Sequence, residues 1–192
     1  ARACASLAGA VRALGGQVVA EAEDAGAVVW ATGAAGLSAL SEDLGRAVGT
    51  GVKGQAAVLG LDRRDAPQVF ADGLHIVPHA DGTVAVGSTS ERDFADPTAT
   101  DGQLDAVIAR ARAACPALEG APVLRRWAGL RPRARTRAPM LGPWPGRPGQ
   151  FVANGGFKIG FGIAPKVAEL MADLVLEERD AIPEDFRVEA SL

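Results

Sequence analysis

The chain has 192 residues and a formal net charge of −3, with 48% hydrophobic and 22% charged residues. That balance is typical of a folded globular protein and argues against a disordered chain. The small negative charge gives no electrostatic reason to expect nucleic acid or an anionic membrane as a partner, and no apolar run approaches the roughly 20 residues that a membrane-spanning helix needs.

The first quarter of the chain predicts two helices and two strands. Residues 2–14 are rich in helix formers and precede a pair of glycines, which predicts a helix that ends there. A short strand is predicted at 17–20. The compact apolar run at 27–33 closes with a glycine and predicts a buried strand that enters a tight turn, and residues 36–44 predict a short helix after it.

The middle of the chain predicts a series of short strands joined by tight turns. The Asp81-Gly82 pair separates the last two of them and is a strong hairpin signal. Hairpin-linked strands with a few helices among them indicate an α+β chain, whereas a regular βαβ array would alternate the two kinds of element. The predicted strands are residues 52–60, 67–71, 73–78 and 83–88.

An amphipathic helix is predicted at 101–115, because its apolar residues recur at helical spacing. Thr100 or Asp101 is suited to cap its start. The remaining predicted elements are strands at 123–131 and 150–154, a helix at 164–177 with Pro165 in its first turn, and a loose charged tail from Arg179 onward.

Few side chains indicate a metal site or acid–base chemistry. Cys4 and Cys115 lie far apart without metal-ligand spacing, so they are interpreted as reduced thiols of a cytoplasmic protein, with a structural disulfide as the alternative. His75 and His79 flank a predicted strand, and two isolated histidines rarely form a catalytic base or a metal site. The sequence therefore predicts neither a catalytic side chain nor a metal ligand.

Four stretches, in this order along the chain, carry a resemblance to a known family. The first two are VVWATG at 28–33, a strand that ends in glycine, and the hairpin HIVPHADGTVAVGST at 75–89. The third, at 127–143, contains W-x-G-L-R-P followed by P-x-L-G-P, and the fourth, at 154–176, begins NGGFKIGFG and leads into a helix. Together they resemble the FAD-dependent oxidoreductases of the D-amino-acid oxidase family, which includes glycine and sarcosine oxidases, over about residues 2–178.

The resemblance implies a fold and a division into domains. The fold is α+β, with an antiparallel or mixed-sheet substrate-binding domain beside the C-terminal portion of a two-dinucleotide-fold FAD domain. The implied segments are a partial FAD domain at 1–48, the substrate-binding domain at 49–128, a return to the FAD domain at 129–178, and a tail at 179–192.

The resemblance also implies FAD as the cofactor and a set of site residues. Arg131 falls on the motif's arginine, which in the family often holds the substrate carboxylate through its planar fork of N–H donors. Lys158 matches a lysine that sarcosine-oxidase-like members use near that carboxylate. The glycine loops would let main-chain N–H groups approach the flavin. The implied cofactor-contacting residues are Ala31, Thr32, Gly33, Gly129, Gly155, Gly156, Phe157, Lys158, Ile159 and Gly160.

The implied activity is oxidation of the C–N bond of a small amino acid or N-alkyl amino acid by hydride transfer to FAD, with oxygen or another acceptor reoxidising the flavin. Two departures bear on it. Extra arginines stand between Arg131 and Pro139, where the family often reads R-P-x-T-P-D-G-x-P, and Ala85 stands where sarcosine oxidases carry an oxygen-activating lysine. The alternatives are a flavin dehydrogenase with a different acceptor and a non-catalytic remnant or subunit that completes a partner's site.

No G-x-G-x-x-G sequence follows a predicted strand in this chain. Full-length relatives open with that fingerprint and seat the pyrophosphate of FAD on it. The chain also begins with Ala1 instead of methionine, which a processed terminus would explain as well. We therefore expect a fragment without the N-terminal FAD-binding segment, or a chain whose partner supplies that segment, and weak or absent binding of FAD by this piece alone.

Overall fold

The computed structural model of the chain describes residues 2–192; Ala1, the first residue of the predicted 1–48 domain, lies outside them. Helices and strands alternate irregularly along the chain and build two separate sheets. The helices are α1 (Arg2–Ala13), α2 (Gly33–Asp43), α3 (Gly102–Ala114) and α4 (Gly160–Glu177). The strands are β1 (Val28–Trp30), β2 (Gly49–Leu59), β3 (Val69–Ala71), β4 (Leu74–Pro78), β5 (Val84–Gly87), β6 (Val123–Ala134), β7 (Met140–Pro143) and β8 (Gln150–Asn154).

The larger sheet has five strands in the order β3-β4-β5-β2-β6, and every neighbouring pair is antiparallel. Its longest pair joins β2 to β6, from Gly49 opposite Ala134 to Leu59 opposite Val123. Helix α3 packs on one face, toward which alternate residues of β2 point. The buried cluster on that face includes Ala57, Leu59, Leu74, Ile76, Val84, Val86, Leu104, Val107, Ile108 and Ala111.

The opposite face of the five-stranded sheet is called the open face below. Residues directly opposite one another in an antiparallel pair share a face, so the strand register places one row across all five strands. That row is Phe70, His75, Gly87, Ala56 and Trp127. Phe70 is 66% exposed and Trp127 is 36% exposed. Large aromatic side chains therefore stand on the open face with small residues between them.

The smaller sheet has three strands in the order β1-β8-β7, with β1 parallel and β7 antiparallel to β8. Alternate residues of β7 enter two different cores because they point to opposite faces. Met140 packs with Leu37 and Leu40 of α2, whereas Leu141 packs with Leu170 of α4. The sheet is thus covered by α2 on one side and by α4 on the other.

The sequence prediction is confirmed for most elements, including α1, α2, α3 and the hairpin of β4 and β5. It is wrong at residues 17–20, which form no strand; Val19 is 58% exposed, and no strand within residues 2–192 pairs with it. The strand at 27–33 was predicted to be buried, but β1 is an edge strand and Val29 is 42% exposed.

Three further differences lie in the C-terminal part. Strand β7 was not predicted. Helix α4 begins at Gly160 rather than at residue 164, so Pro165 lies inside the helix and not in its first turn. The tail is packed rather than loose, because Ile182 and Val188 are buried and Arg187 forms a parallel bridge with Leu141 of β7. Two short 3₁₀ helices, Glu184–Phe186 and Val188–Ser191, order this tail.

Helix α1 contributes no buried residue, and its apolar side chains Leu7 and Val11 are 68% and 44% exposed. No helix within residues 2–192 has the length and apolar character needed to cross a membrane.

Cys4 is an exposed free thiol and Cys115 a partly buried one.

Candidate functional site

The parallel strands β1 and β8 end at the same edge of the smaller sheet; β1 leads through Ala31 and Thr32 into α2, and β8 leads into a loop that contains Gly155 and Gly156. Asn154 joins the start of α2 to the loop after β8. Its Nδ2 donates to the carbonyl oxygen of Gly33 at 2.8 Å, and its Oδ1 accepts from the N–H of Gly155 at 2.8 Å. Ligands of open α/β sheets bind outside the carboxyl ends of parallel strands, so this edge is a candidate for cofactor contact.

Two glycines at this edge stand where a Cβ would collide with neighbouring atoms. A Cβ at Gly36 would lie 2.1 Å from Oγ1 of Thr32 and 2.9 Å from Nδ2 of Asn154. A Cβ at Gly156 would lie 2.7 Å from the Cα of Gly160. The contact at Gly156 is with backbone, so glycine there allows the loop after β8 to pack against the start of α4, whereas the contacts at Gly36 of α2 are with side chains.

A cleft of about 360 Å³ opens between this edge and α4. Its walls are mostly apolar and include Ala31 after β1, Gly33 at the start of α2, Gly156 in the loop after β8, and Gly160 and Ile163 of α4. The first three N–H groups of α4 have no acceptor within residues 2–192, and no side chain caps this helix. An apolar cleft beside unpaired N–H groups fits a flat aromatic ring with a polar edge, such as a flavin.

The second part of the site is Arg131 on β6, which lies on the open face opposite Val52. Its Nη1 donates to the carbonyl oxygens of Lys53 at 3.5 Å and Thr89 at 3.3 Å, and its Nη2 donates to Oγ of Ser88 at 2.6 Å. Burial lowers the pKa of Arg131, and the negative charge of the nearby Glu91 partly offsets this shift. The guanidinium is thus a half-buried cation held by neutral oxygen acceptors.

A buried polar cluster lies behind Arg131, on the covered face of the sheet. Lys53 and Glu91 are 3% and 8% exposed, and Nζ of Lys53 lies 3.7 Å from Oε2 of Glu91. Gln55, fully buried, donates to Oε1 of Glu91 at 3.1 Å, and Gln103 of α3 donates to Oε2 of Glu91 at 3.2 Å. The sequence analysis did not predict this cluster. The available signal was the alternation of residues in β2, because Lys53 and Gln55 share a face of the strand with the apolar residues Ala57 and Leu59.

A hydrogen bond connects the two parts of the site. The N–H of Phe157 donates to the carbonyl oxygen of Pro132 at 3.0 Å, and Gly156 forms an antiparallel bridge with Arg133. The loop after β8 is therefore fastened to β6 immediately after Arg131. Lys158 follows in this loop; its side chain is exposed, and its Nζ lies 5.6 Å from the centroid of the Phe157 ring.

Comparison with known proteins agrees with these features. A family model described as DAO, FAD dependent oxidoreductase, matches residues 1–174. The chain belongs to this family. FAD is the cofactor of the DAO family, and the α+β fold with its mixed and antiparallel sheets is that of DAO-family glycine oxidases.

Curated relatives include glycine oxidases of two bacteria. The Pseudomonas putida protein is 38% identical over 125 residues, which are 65% of this chain and 34% of that protein. The Bacillus subtilis protein is 32% identical over 110 residues, which are 57% of this chain and 30% of that protein. The chain thus spans about a third of the length of the curated relatives it matches.

Solved structures with the same fold include the glycine oxidase of Geobacillus kaustophilus, with a TM-score of 0.74 and 30% identity over 84% of this chain and 45% of that one. The iminodiacetate oxidase of a Chelativorans species has a TM-score of 0.73 and 26% identity over 86% of this chain and 46% of that one.

The structure brings some of the residues implied by the DAO resemblance together and separates others. Ala31, Gly33, Gly156 and Gly160 line the cleft. Gly129 lies on β6 opposite Gly54, away from the ends of β1 and β8. The remaining implied residues lie in the segments that follow β1 and β8, where Thr32, Lys158 and Ile159 are exposed, Phe157 is half-buried and Gly155 is buried.

Proposed function

We propose that the chain forms the substrate-facing and flavin-facing part of an FAD-dependent enzyme that oxidises the C–N bond of a small amino acid or N-alkyl amino acid. The observation that carries the proposal is the guanidinium of Arg131. It lies half-buried on the open face, and the loop beside the cleft is hydrogen-bonded to the next residue of the same strand. Relatives named glycine oxidase support the substrate class.

Arg131 would bind the substrate carboxylate. Three of its five N–H donors have acceptors within residues 2–192, which leaves the Nε–H and one Nη2–H for a ligand. Two donors on neighbouring nitrogens can meet both oxygens of a carboxylate and so fix its orientation as well as its position. Lys158, exposed in the adjoining loop, would add a second positive charge on the side of the cleft.

The cleft between the smaller sheet and α4 would hold the flavin ring of FAD. Ala31, Gly33, Gly156 and Gly160 would contact the ring, and the unpaired N–H groups at the start of α4 would face its polar edge. When bound, FAD would accept the hydride that leaves the substrate's α-carbon. The chain's own contribution is orientation, because a carboxylate fixed at Arg131 limits where the α-carbon can lie.

The proposal needs a polypeptide segment for the ADP end of FAD, since the sequence contains no G-x-G-x-x-G after a strand. A preceding segment or a partner chain would supply it. The division at 1–48, 49–128 and 129–178 remains a prediction, and β6 runs through its second boundary. We also place the protein in the cytoplasm, in line with its free thiols.

A flavin dehydrogenase with an acceptor other than oxygen is a second candidate. Ala85 pairs with Val58 and therefore lies on the open face with Arg131. It stands where sarcosine oxidases, by the resemblance, carry an oxygen-activating lysine. Hydrogen peroxide formed during substrate turnover by the complete enzyme would favour the oxidase, and its absence would favour the dehydrogenase.

Titration of the chain with glycine and with acetate, followed by two-dimensional NMR, tests the carboxylate site. Arg131→Ala is expected to weaken binding of both ligands by about tenfold or more, because a hydrogen bond to a charged group contributes about 1.5–3 kcal/mol. Arg125→Ala is the matched control: it removes a cation from the same strand and the same face. The affinity of Arg125→Ala for both ligands is expected to stay within about twofold of the affinity of the unmodified chain.

Two results would refute the carboxylate site. Equal losses in the two arginine variants would mean that general positive charge, rather than Arg131, attracts the ligand. Methylamine, which has the amine of glycine but no carboxylate, is expected not to bind; an affinity equal to that of glycine would place recognition elsewhere.

A further inference from the structure

The guanidinium of Arg131 occupies the space in which a side chain at position 54 would stand. A Cβ built on Gly54 would lie 2.0 Å from Nη1, 2.2 Å from Nη2 and 2.3 Å from Cζ of Arg131. These distances are far below van der Waals contact. Arg131 thus lies flat over the backbone of β2, and only a residue without a Cβ permits this position.

The acceptors of Arg131 are fixed by the buried cluster on the other side of the sheet. Thr89 accepts from the N–H of Gln55 at 2.8 Å through its Oγ1, which also donates to Glu91. Lys53 and Glu91 exchange two backbone hydrogen bonds of 2.9 Å. The carbonyl oxygens that receive Arg131 therefore belong to backbone that cannot shift without breaking buried hydrogen bonds.

Because the acceptors are fixed, a side chain at position 54 would displace the guanidinium of Arg131 from them. The contacts of the added Cβ are with the far end of the Arg131 side chain, which can move, and not with backbone. The guanidinium would lift away from β2 and lose its hydrogen bonds to Lys53 and Thr89. Its Nε–H and free Nη2–H, which have no acceptor within residues 2–192, would then point in a different direction.

We propose that Gly54 is a positioning residue for carboxylate recognition: its missing side chain lets Arg131 lie against β2 and present two unpaired donors at a fixed place on the open face. The role rests on the proposed function only in its ligand, a small monocarboxylate. The arrangement of Gly54 and Arg131 itself can be measured without any ligand.

The test compares Gly54→Ala with Gly102→Ala. Both changes add one methyl group, but a Cβ at Gly102, at the start of α3, meets nothing within 4 Å. In titrations with glycine and acetate, Gly54→Ala is expected to weaken binding by about tenfold, as removal of a charge-assisted hydrogen bond would. Gly102→Ala is expected to leave the affinity unchanged. Equal affinities for Gly54→Ala and the unmodified chain would overturn the proposal.

A double-mutant cycle separates positioning from damage to the strand. If Gly54 acts through Arg131, the Gly54→Ala change has no further effect on carboxylate affinity or on Tm once Arg131→Ala is present. If it lowers Tm by the same amount in both backgrounds, the added methyl group disturbs β2 itself and the proposal is wrong. The Tm comparison decides even if the single variant folds poorly.

The Nε–H resonance of Arg131 provides a readout that needs no ligand. It is expected to shift in Gly54→Ala and not in Gly102→Ala. If the unmodified chain binds no carboxylate, the proposed function fails. The Nε–H resonance then decides alone whether Gly54 positions Arg131. A resonance moved by Gly54→Ala would support the positioning role, and an unmoved one would overturn it.

Discussion

Asp101 has two structural tasks at the beginning of α3. Its Oδ1 accepts from the N–H of Gln103 at 2.9 Å, which caps the helix, and from Nε2 of the buried Gln55 at 2.9 Å. The bond from Gln55, followed by the bond from Gln103, lowers the pKa of Asp101. One carboxylate therefore connects the N-terminus of α3 to the cluster behind Arg131.

The lowered pKa of Asp101 sets the direction of a pH effect on stability. A carboxyl group whose pKa is lower in the folded state stabilises that state above its unfolded pKa, and this contribution is lost as the pH falls through the folded pKa. Asp101→Ala is expected to lower the urea midpoint at pH 7, whereas Asp101→Asn, which keeps an acceptor at the cap, should lower it less. The difference in urea midpoint between Asp101→Ala and the unmodified chain should become smaller below about pH 4. A gap that does not depend on pH would contradict this account.

Sequence reasoning at this scale could locate Arg131 but not what holds it. The W-x-G-L-R-P motif made Arg131 the candidate for carboxylate binding, because the motif is local in the sequence. Gly54, Ser88 and Thr89 are 77, 43 and 42 residues away from it along the chain, by the numbering of the sequence. Only the pairing of β2 with β6, and the path of the chain after β5, bring them to the guanidinium.

The hairpin of β4 and β5 shows how one glycine sets the geometry of an element. The N–H of Gly82 donates to the carbonyl oxygen of His79 at 3.1 Å, and the N–H of His79 donates to the carbonyl oxygen of Thr83 at 2.8 Å. Gly82 has a φ of +80°. This is a three-residue loop in which a turn is followed by a residue in the left-handed region.

Gly82→Ala is expected to lower the free energy of unfolding by about 1–2 kcal/mol, because a side chain is unfavourable at positive φ. The loss should be conformational and not steric: the Cβ would lie 3.4 Å from Oδ2 of Asp62 and 3.5 Å from Nη2 of Arg64, which are ordinary contacts. Gly82→Asn should lose less, since asparagine tolerates this region. Urea unfolding measures the free energy of unfolding of both variants. Equal losses in Gly82→Ala and Gly82→Asn would mean that crowding, and not the positive φ, destabilises them.

The elements that sequence reasoning misjudged are those whose partners decide their state. Residues 17–20 contain Val18 and Val19, which favour strands, but no strand within residues 2–192 pairs with them. Strand β7 has only four residues and includes a glycine and a proline, so its pattern is weak; it exists because β8 pairs with it. Pro165 suggested the first turn of a helix, whereas α4 begins five residues earlier, at Gly160, and its contacts with Leu141 of β7 lie after the proline.

At the scale of the whole molecule, the cleft and the open face lie on two sheets that meet through few bonds. The bridge between Arg133 and Gly156 and the bond from Phe157 to Pro132 join the loop after β8 to β6. The resemblance implied an α+β fold with a substrate-binding sheet beside part of an FAD domain, and the two sheets agree with that fold. The strand pairing adds which strands form each sheet.

The molecule also has apolar surface that no other part of residues 2–192 covers. Helix α1 contributes no buried residue, β1 is an edge strand, and Phe161 at the start of α4 is 84% exposed. Monomeric proteins rarely leave large contiguous apolar areas in water. Under the proposed function, this surface would be covered by the segment that binds the ADP end of FAD.

Flavin binding distinguishes a chain that contacts only the ring from one that also holds the ADP half. If residues 2–192 contact only the ring, then riboflavin and FAD are expected to bind with affinities within about threefold of each other, because the ADP half finds no site. Equilibrium dialysis of both flavins measures this. Ala31→Trp, which places a large side chain in the wall of the cleft, should abolish binding, whereas Ala39→Trp, on an exposed position of α2, should not. FAD bound about a hundredfold more tightly than riboflavin would mean that this chain holds the ADP half by itself, and equal loss in both tryptophan variants would remove the cleft as the flavin site.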